Sequence, residues 1–400
     1  MSDEPGDSPE AFLSARAAAK LLGVKTSTLY AYVSRGQIQS VAGQGRARRY
    51  RKADVLRLKA RREGRDRGAE IGSALRWGEP VLDSSITEVR PDGPYYRGQS
   101  AVALARDPEV CFEQVAELLW TGSLPAERPE WPMPPYFEAS RDAAASAGPD
   151  SPPLAWLAVL VPTLASRDAG RFERTPEAVL PRARSLIRAL AELLGGGPGP
   201  ESLAESFLWS ATGRPRKHAP ALDTLWTLWA DHELNVSSFA ARVAASANAD
   251  LYSCVSAGLA ALSGPRHGGA CEQLHALLEE IKRPARVPQV VNERRRRGEA
   301  IPGFGHPLYP QGDPRALPML ELAEEVGPRT PWVALVRALV AELRERGQEP
   351  NVDCGTVSLA AALGVPADKV PGLIAIGRSA GWVAHILEQY EAGFLIRPRA

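Results

Sequence analysis

Four hundred residues, 44% of them hydrophobic and 24% charged, exclude a single small domain and wholesale disorder, and suit two or three packed domains. Gly and Pro number 35 each, which predicts many short helices with firm stops. The net charge of +1 joins unlike parts: residues 1–67 carry 15 Lys+Arg against 7 Asp+Glu, and the remainder carries 33 against 40. A basic head suited to polyanions therefore precedes an acidic body.

An acidic tail, residues 1–11, comes first and has no apolar core of a secretory signal. From Ser14, a capping residue, Leu13, Ala17, Ala18, Leu21 and Leu22 mark a first helix that Gly23 ends. Val24 begins a tight turn, and Thr26 or Ser27 is placed to cap a second helix carrying Leu29, Tyr30 and Val33, stopped by Gly36. Ile38 to Val41, a tip with Gly43 and Gly45, and Arg46 to Arg51 predict a hairpin. A third helix over about 53–62 carries Val55, Leu56 and Leu58. The head thus spans 12–62, and the polar, Gly-containing stretch 63–73 is a linker.

Beyond it the signals are helical and strands are scarce. EQVAELLWTG at 113–122 puts Val115, Leu118 and Leu119 on one face and stops at Gly122. Residues 123–153 are Pro-rich and predict a long surface connection. A helix over 174–195 follows. The Ala/Ser/Gly-rich run 237–263 predicts buried, closely approaching helices, at the centre or at a subunit interface. After His267, the positions Leu274, Leu277, Leu278 and Ile281 form a helical stripe, and Trp332 to Arg346 forms another, closed by Gly347. No uncharged apolar run approaches the ~20 residues of a membrane span. The four cysteines (Cys111, Cys254, Cys271, Cys354) lack metal or disulfide spacing, so a reducing cytoplasm, no metal and small buried thiols are expected.

Two resemblances sharpen these expectations. LSARAAAKLLGVKTSTLYAYVSRGQI with RRYRKADV resembles the MerR/excisionase-type winged helix-turn-helix. In that reading Lys25, Thr26, Thr28 and Tyr30 face the major groove of duplex DNA, and Arg46, Arg48, Arg49 and Arg51 reach phosphates or the minor groove. The alternative is a solvated basic hairpin on a protein-contact domain. One such head is too small to bind specifically alone, so two on a dimer would be needed.

The body, in order, carries PYYRG, FEQVAELLWTGSLP, ADHE, GPRHGGACE, GFGHPLY with DPR, NVD, GRSAGWVAHILEQ and a final RPR. This series resembles the citrate synthase family. The resemblance implies a mostly α fold: a large helical domain (74–263 and 371–400) and a small one (264–370) closing over a cleft, in a homodimer. It implies acetyl-CoA, or propionyl-CoA in the 2-methylcitrate synthase variant, as a substrate beside oxaloacetate, with no permanently bound cofactor. Abstracting a proton beside a thioester needs a base at the carbon and a donor at the oxygen. Asp353 matches the family's base, His267 the thioester-oxygen donor, and His306 the residue that polarises the ketone. Arg315, Arg378 and Arg397 match its carboxylate-binding arginines and His232 its further oxaloacetate contact, with Arg397 reaching the partner's site. Gly268 and Gly269 would let the backbone approach the ligand closely. His275 and His385 sit on helical stripes as packing residues, and His218 in an exposed basic loop.

Departures exist. Trp229 stands before ADHE where the family often has a histidine, and Cys271 replaces an Asn, a change assigned to loop support. Pro307 and Pro310 stand where basic residues often meet the CoA phosphates; Arg294 to Arg297 are substitutes, or a solvated helix face. A second hypothesis follows: a DNA-binding regulator whose body senses oxaloacetate or an acyl-CoA with little turnover.

Overall fold

The computed structural model describes residues 12–34, 38–42, 47–52, 54–56, 58, 82–148, 150–195, 202–213 and 216–398. They belong to two compact units, Met1–Asp83 and Ser84–Ala400.

The first unit contains β1 (Phe12–Ser14), α1 (Ala15–Leu22), α2 (Thr26–Ser34), β2 (Ser40–Ala42) and β3 (Arg48–Arg51). The Ser14 side chain accepts from the Ala17 N–H and Gly23 closes α1 in the left-handed region, as its sequence predicts. α2 differs by one residue. Thr26 is its first residue rather than its cap, and the Lys25 carbonyl accepts from the Leu29 N–H. The hairpin β2–β3 forms, but β3 is the middle strand, with β1 antiparallel on its other side and Leu13 opposite Tyr50. Three residues are too few to show alternation, which is why β1 is not legible in the sequence. Ala18, Leu22, Leu29, Ile38, Tyr50 and Val55 form a core of their own. Residues 54–56 and 58 are helical where the third helix is expected. The tail 1–11, Gly36, the hairpin tip with Arg46, and the linker 63–73 lie outside the described residues.

The second unit opens with a small antiparallel sheet, β4 (Thr87–Arg90), β5 (Gly93–Tyr96) and β6 (Gln99–Ser100). Helices follow: α3 (Ala101–Arg106), α4 (Phe112–Thr121), α5 (Phe137–Ala145), α6 (Pro153–Arg167), α7 (Pro176–Gly195), α8 (Leu203–Thr212), α9 (Ala219–Trp229), α10 (Val236–Ser246) and α11 (Leu251–Leu262). Then come α12 (Ala270–Ile281), α13 (Val287–Arg296), α14 (Ala316–Val326), α15 (Pro331–Arg344), α16 (Val352–Leu363) and α17 (Val370–Ala392). Short polar side chains start many of them: Asn235 caps α10, Asp250 caps α11 and Asn351 caps α16. The α12 stripe is fully buried at Leu274, Leu277, Leu278 and Ile281, each side chain contributing ~1.5–3 kcal/mol of burial.

The Ala/Ser/Gly-rich run is two helices, α10 and α11, which pack on each other and on α17, with Val236 and Val243 of α10 left exposed. The segment 123–153 is more than a surface connection. It contains α5, and Trp131 is buried against Trp120, ring centroids 5.5 Å apart. Its prolines read as coil, while its buried aromatics fix it to α4. Among the described residues one helix, which includes α17, is long and apolar enough to cross a membrane, but 94% of its apolar window is buried in protein, as in a core helix. It packs on α4, α7, α9, α10 and α11, so residues on it reach deep into the unit.

Candidate active site

The turn after α9 is fixed from several sides. The Tyr96 hydroxyl, at the end of β5, donates to the Thr227 carbonyl (2.9 Å) and accepts from the Asp231 N–H (3.2 Å). Trp229 Nε1 donates to Thr356 Oγ1 on α16 (2.7 Å). Glu233 then takes a positive φ of 51°, and Asn235 starts α10. His232 is thereby buried, its Nε2 2.9 Å from the Tyr309 hydroxyl and its ring 5.4 Å from that of His306. Burial, followed by the charges of Arg315 and Arg378, holds its pKa well below the ordinary value, so the ring is neutral.

A second loop is sewn to the start of α16. Phe304 bridges Pro350, the Gly305 N–H donates to the Glu349 carbonyl (2.9 Å) and the Asn351 N–H to the Gly303 carbonyl (3.0 Å). Gly303 needs its φ of 84°, and a Cβ there would sit 2.8 Å from a Leu274 methyl. This pairing brings His306 beside the NVD turn. His306 Nδ1 accepts from the Leu308 N–H (3.2 Å), so the neutral ring carries its proton on Nε2. Burial and the adjacent Arg315 lower its pKa to about 4. Arg315 forks onto Asp313 (2.9 and 2.8 Å), and Asp313 Oδ2 also accepts from the Val352 N–H (3.1 Å). The guanidinium is thus tied to the same helix start.

Arg378, on α17, is 2% exposed, and its Nε and Nη1 have no hydrogen-bond partner. Its nearest counter-charge is Asp231 Oδ1 at 3.8 Å, beyond hydrogen-bond length. Asp231 Oδ2 lies 3.4 Å from His385 Nε2. Burial lowers the Arg378 pKa to about 10. Burial works to raise Asp231, but His385 and Arg378 outweigh it and the carboxyl is held low. A buried guanidinium with open N–H directions is costly unless a ligand accepts from it.

His267 follows α11. Its Nε2 is 2.8 Å from Ser237 Oγ, which also accepts from Trp382 Nε1 (3.0 Å). Burial, then the charge of Arg378, lowers the His267 pKa to about 4. Gly268 is required by the chain's own packing, since a Cβ there would lie 2.6 Å from the Leu262 carbonyl oxygen. Asp353 lies in the first turn of α16, its N–H held by Asn351 Oδ1 (3.0 Å). Burial pushes its carboxyl up to about 6. The Cys271 thiol is 3.1 Å from Asp353 Oδ1. The assignment of Cys271 to loop support is therefore corrected: its side chain touches the carboxylate itself.

His232, His306, Arg315 and Arg378 are brought together directly, and Asp353 and His267 join them through α16 and the Arg378 field. Arg397 does not join them within the chain. It is exposed beyond α17, on a tail whose Ile396 N–H donates to Ser246 Oγ. Sequence reasoning missed Tyr309, Asp231 and Ser237, and placed His385 as packing although it pairs with Asp231. Their only signal was proximity to the motif residues. Arg294 is bound to Glu280 and Arg297 to Glu299, as on a solvated helix face.

In the first unit, Lys25, Thr26 and Tyr30 are exposed on the N-terminal part of α2 and its approach, and Thr28 is half-buried. Arg48 and Arg49 are exposed on β3. Arg46 lies outside the described residues.

Fold and site define a mostly helical body in which neutral histidines and a carboxyl raised by burial stand near buried arginines. Residues 74–399 match the model of the citrate synthase C-terminal domain, and residues 12–63 that of a helix-turn-helix domain. The chain is 34% identical over 352 residues to a citrate synthase of Haloferax volcanii, covering 80% of this chain and 92% of that one. It is 29% identical over 350 residues to a 2-methylcitrate synthase of Corynebacterium glutamicum, covering 79% and 90%. A citrate synthase of Thermoplasma acidophilum, solved as a ternary complex with carboxymethyl coenzyme A and oxaloacetate, superposes with a TM-score of 0.71 at 27% identity, covering 80% of this chain and 93% of that one. The chain belongs to the citrate synthase family.

Proposed function

We propose that the body condenses an acyl-CoA with oxaloacetate and hydrolyses the resulting thioester, releasing free CoA. The observation that carries this reading is Arg378: a buried guanidinium with two open N–H-bearing nitrogens, whose charge acts on neutral His232, itself beside neutral His306. Such a pocket suits a small dianion whose carboxylates supply the missing acceptors. Arg315 adds charge but is already forked onto Asp313, so Arg378 is the main carboxylate anchor.

Asp353 removes the α-proton of the acyl group. Its raised pKa makes it a stronger base than an exposed Asp, while it stays ionised at neutral pH. His267 donates to the thioester oxygen as the enolate forms. Its Nε2 faces Ser237, so the substrate-facing nitrogen is Nδ1, protonated when the Ser237 hydroxyl donates to Nε2. The enolate carbon attacks the oxaloacetate ketone, which His306 polarises through Nε2–H; the alkoxide takes that proton, and the proton that Asp353 removed makes the charge good, so that His306 regains its Nε2–H and Asp353 its negative charge before the next turnover. Water then cleaves the thioester, and the balance is acyl-CoA, oxaloacetate dianion and water to a tricarboxylate trianion, CoA thiol and one proton.

Residues 264–370 supply His267, His306, Arg315 and Asp353; the preceding and following segments supply His232 and Arg378. This division supports small- and large-domain closure over the ligands, with Arg397 serving the other subunit of a homodimer. Acetyl-CoA is the substrate in this reading, with propionyl-CoA as the variant that the 2-methylcitrate synthase relative motivates. The head binds duplex DNA through the exposed Lys25, Thr26 and Tyr30 of α2 and the exposed Arg48 and Arg49 of β3. The test of the body is oxaloacetate-dependent release of free thiol from acetyl-CoA and propionyl-CoA by the full-length protein. Release above the oxaloacetate-free control supports the reading, and none with either thioester removes it in favour of a metabolite sensor.

A further inference from the structure

We propose that Cys271 is a positioning residue for the condensation: its thiol donates to Oδ1 of Asp353 and sets the direction from which the carboxylate takes the substrate proton. The inference rests on the reading of Asp353 as the base.

The contact is built by two helix starts. Cys271 lies in the first turn of α12 and is 1% exposed. Asp353 lies in the first turn of α16, which packs on α12. Asn351 holds the Asp353 main chain, but the carboxylate's own hydrogen-bond donor among the described residues is the Cys271 thiol, at 3.1 Å. Burial, reinforced by Asp353 itself, pushes the thiol pKa well up, so the sulfur keeps its proton and serves as a donor. With Oδ1 occupied, Oδ2 is the oxygen left to accept the substrate proton.

The choice of donor matters chemically. A carboxylate loses basicity with every hydrogen bond it accepts, and a thiol is a weak donor. Cysteine therefore orients the base while weakening it less than the amide of the Asn that the family pattern carries at this position. Cys271, His275, Trp332, Val357 and Ala361 border a cavity of about 230 Å³, and Ser and Ala are no larger than Cys.

The experiment measures kcat/KM for acetyl-CoA against pH in full-length wild type, Cys271→Ala, Cys271→Ser and Cys271→Asn, with Asp353→Ala as control. Losing the donor in Cys271→Ala should move the acidic limb up by about half to one pH unit, the size of an ordinary rather than a charge-assisted hydrogen bond, as suits a weak thiol donor. Cys271→Ser should restore a limb at or below that of wild type, and Cys271→Asn should move it down. A general structural defect would lower the rate without moving the limb. Superimposable limbs in the Ala, Ser and Asn variants overturn the proposal. If Cys271→Ala fails to fold, identical limbs in wild type, Ser and Asn overturn it equally. An active Asp353→Ala control would remove the base reading itself, a separate failure.

Discussion

In the body, the informative side chains are buried: His232, Arg315 and Arg378 are each under one-tenth exposed, and their charges and tautomers are set by neighbours. In the head the informative side chains are exposed: Lys25, Thr26, Tyr30, Arg48 and Arg49 lie on the surface over a small apolar core. Both regions present positive charge, but in opposite settings. A buried cation binds one ligand of matched shape, because desolvation is already complete and a misplaced acceptor leaves a donor unpaired. Exposed cations bind any polyanion, and salt competes. Substitutions in the body should therefore produce large effects specific to one ligand or step, and substitutions in the head should produce graded, salt-dependent ones.

The largest expected effect is at the base. Asp353→Ala should lower turnover by ~10²–10⁴-fold, while calorimetry finds oxaloacetate binding retained. Near wild-type rates would erase the distinction between a catalytic body and a sensing one. Next is Arg378→Ala, which should weaken oxaloacetate binding by roughly 10- to 150-fold, the worth of a hydrogen bond to a charged group. Arg397→Ala should do the same to a smaller extent without dissociating the proposed homodimer; normal binding would sever the link between the C-terminus and a partner's site. In the head, changing Arg48 and Arg49 together to Ala should make the slope of log affinity for duplex DNA against log salt shallower, by about 0.9 for each phosphate that is no longer neutralised. A Thr28 substitution should instead alter preference among sequences. The smallest effect is expected on catalysis when residues 1–67 are removed: CoA release should persist while DNA binding disappears. Strong loss of turnover would show that the two regions are not independent.

Much of the molecule is legible from residue order. The α12 stripe, Ser14, Gly23 and Gly122 follow local rules that tertiary packing does not override. The motif residues are legible because their order along the chain resembles that of a family; none of them declares a role alone. Other features depend on the meeting of distant segments. Tyr309 looks like one more aromatic beside a Pro until the fold puts its hydroxyl on His232, 77 residues away. His385 lies on an apolar helix stripe, and only the turn at 230–235 supplies Asp231 as its partner. Cys271 differs from a packing cysteine only because α16 begins opposite it. Strand β1 escapes notice because its pairing with β3, rather than its composition, makes it a strand.

The central claim is that a buried aspartate is the base, and the wild-type protein tests it directly. kcat/KM for acetyl-CoA, followed downward from neutral pH with oxaloacetate saturating, reports the ionisation of the essential base in the enzyme awaiting acetyl-CoA. Asp353 must be ionised to act, and its pKa is raised to about 6. The account predicts a rate level at neutral pH that falls about tenfold per unit once pH drops below about 6. A rate that stays level until the ordinary aspartate range near ~3.9 would contradict it.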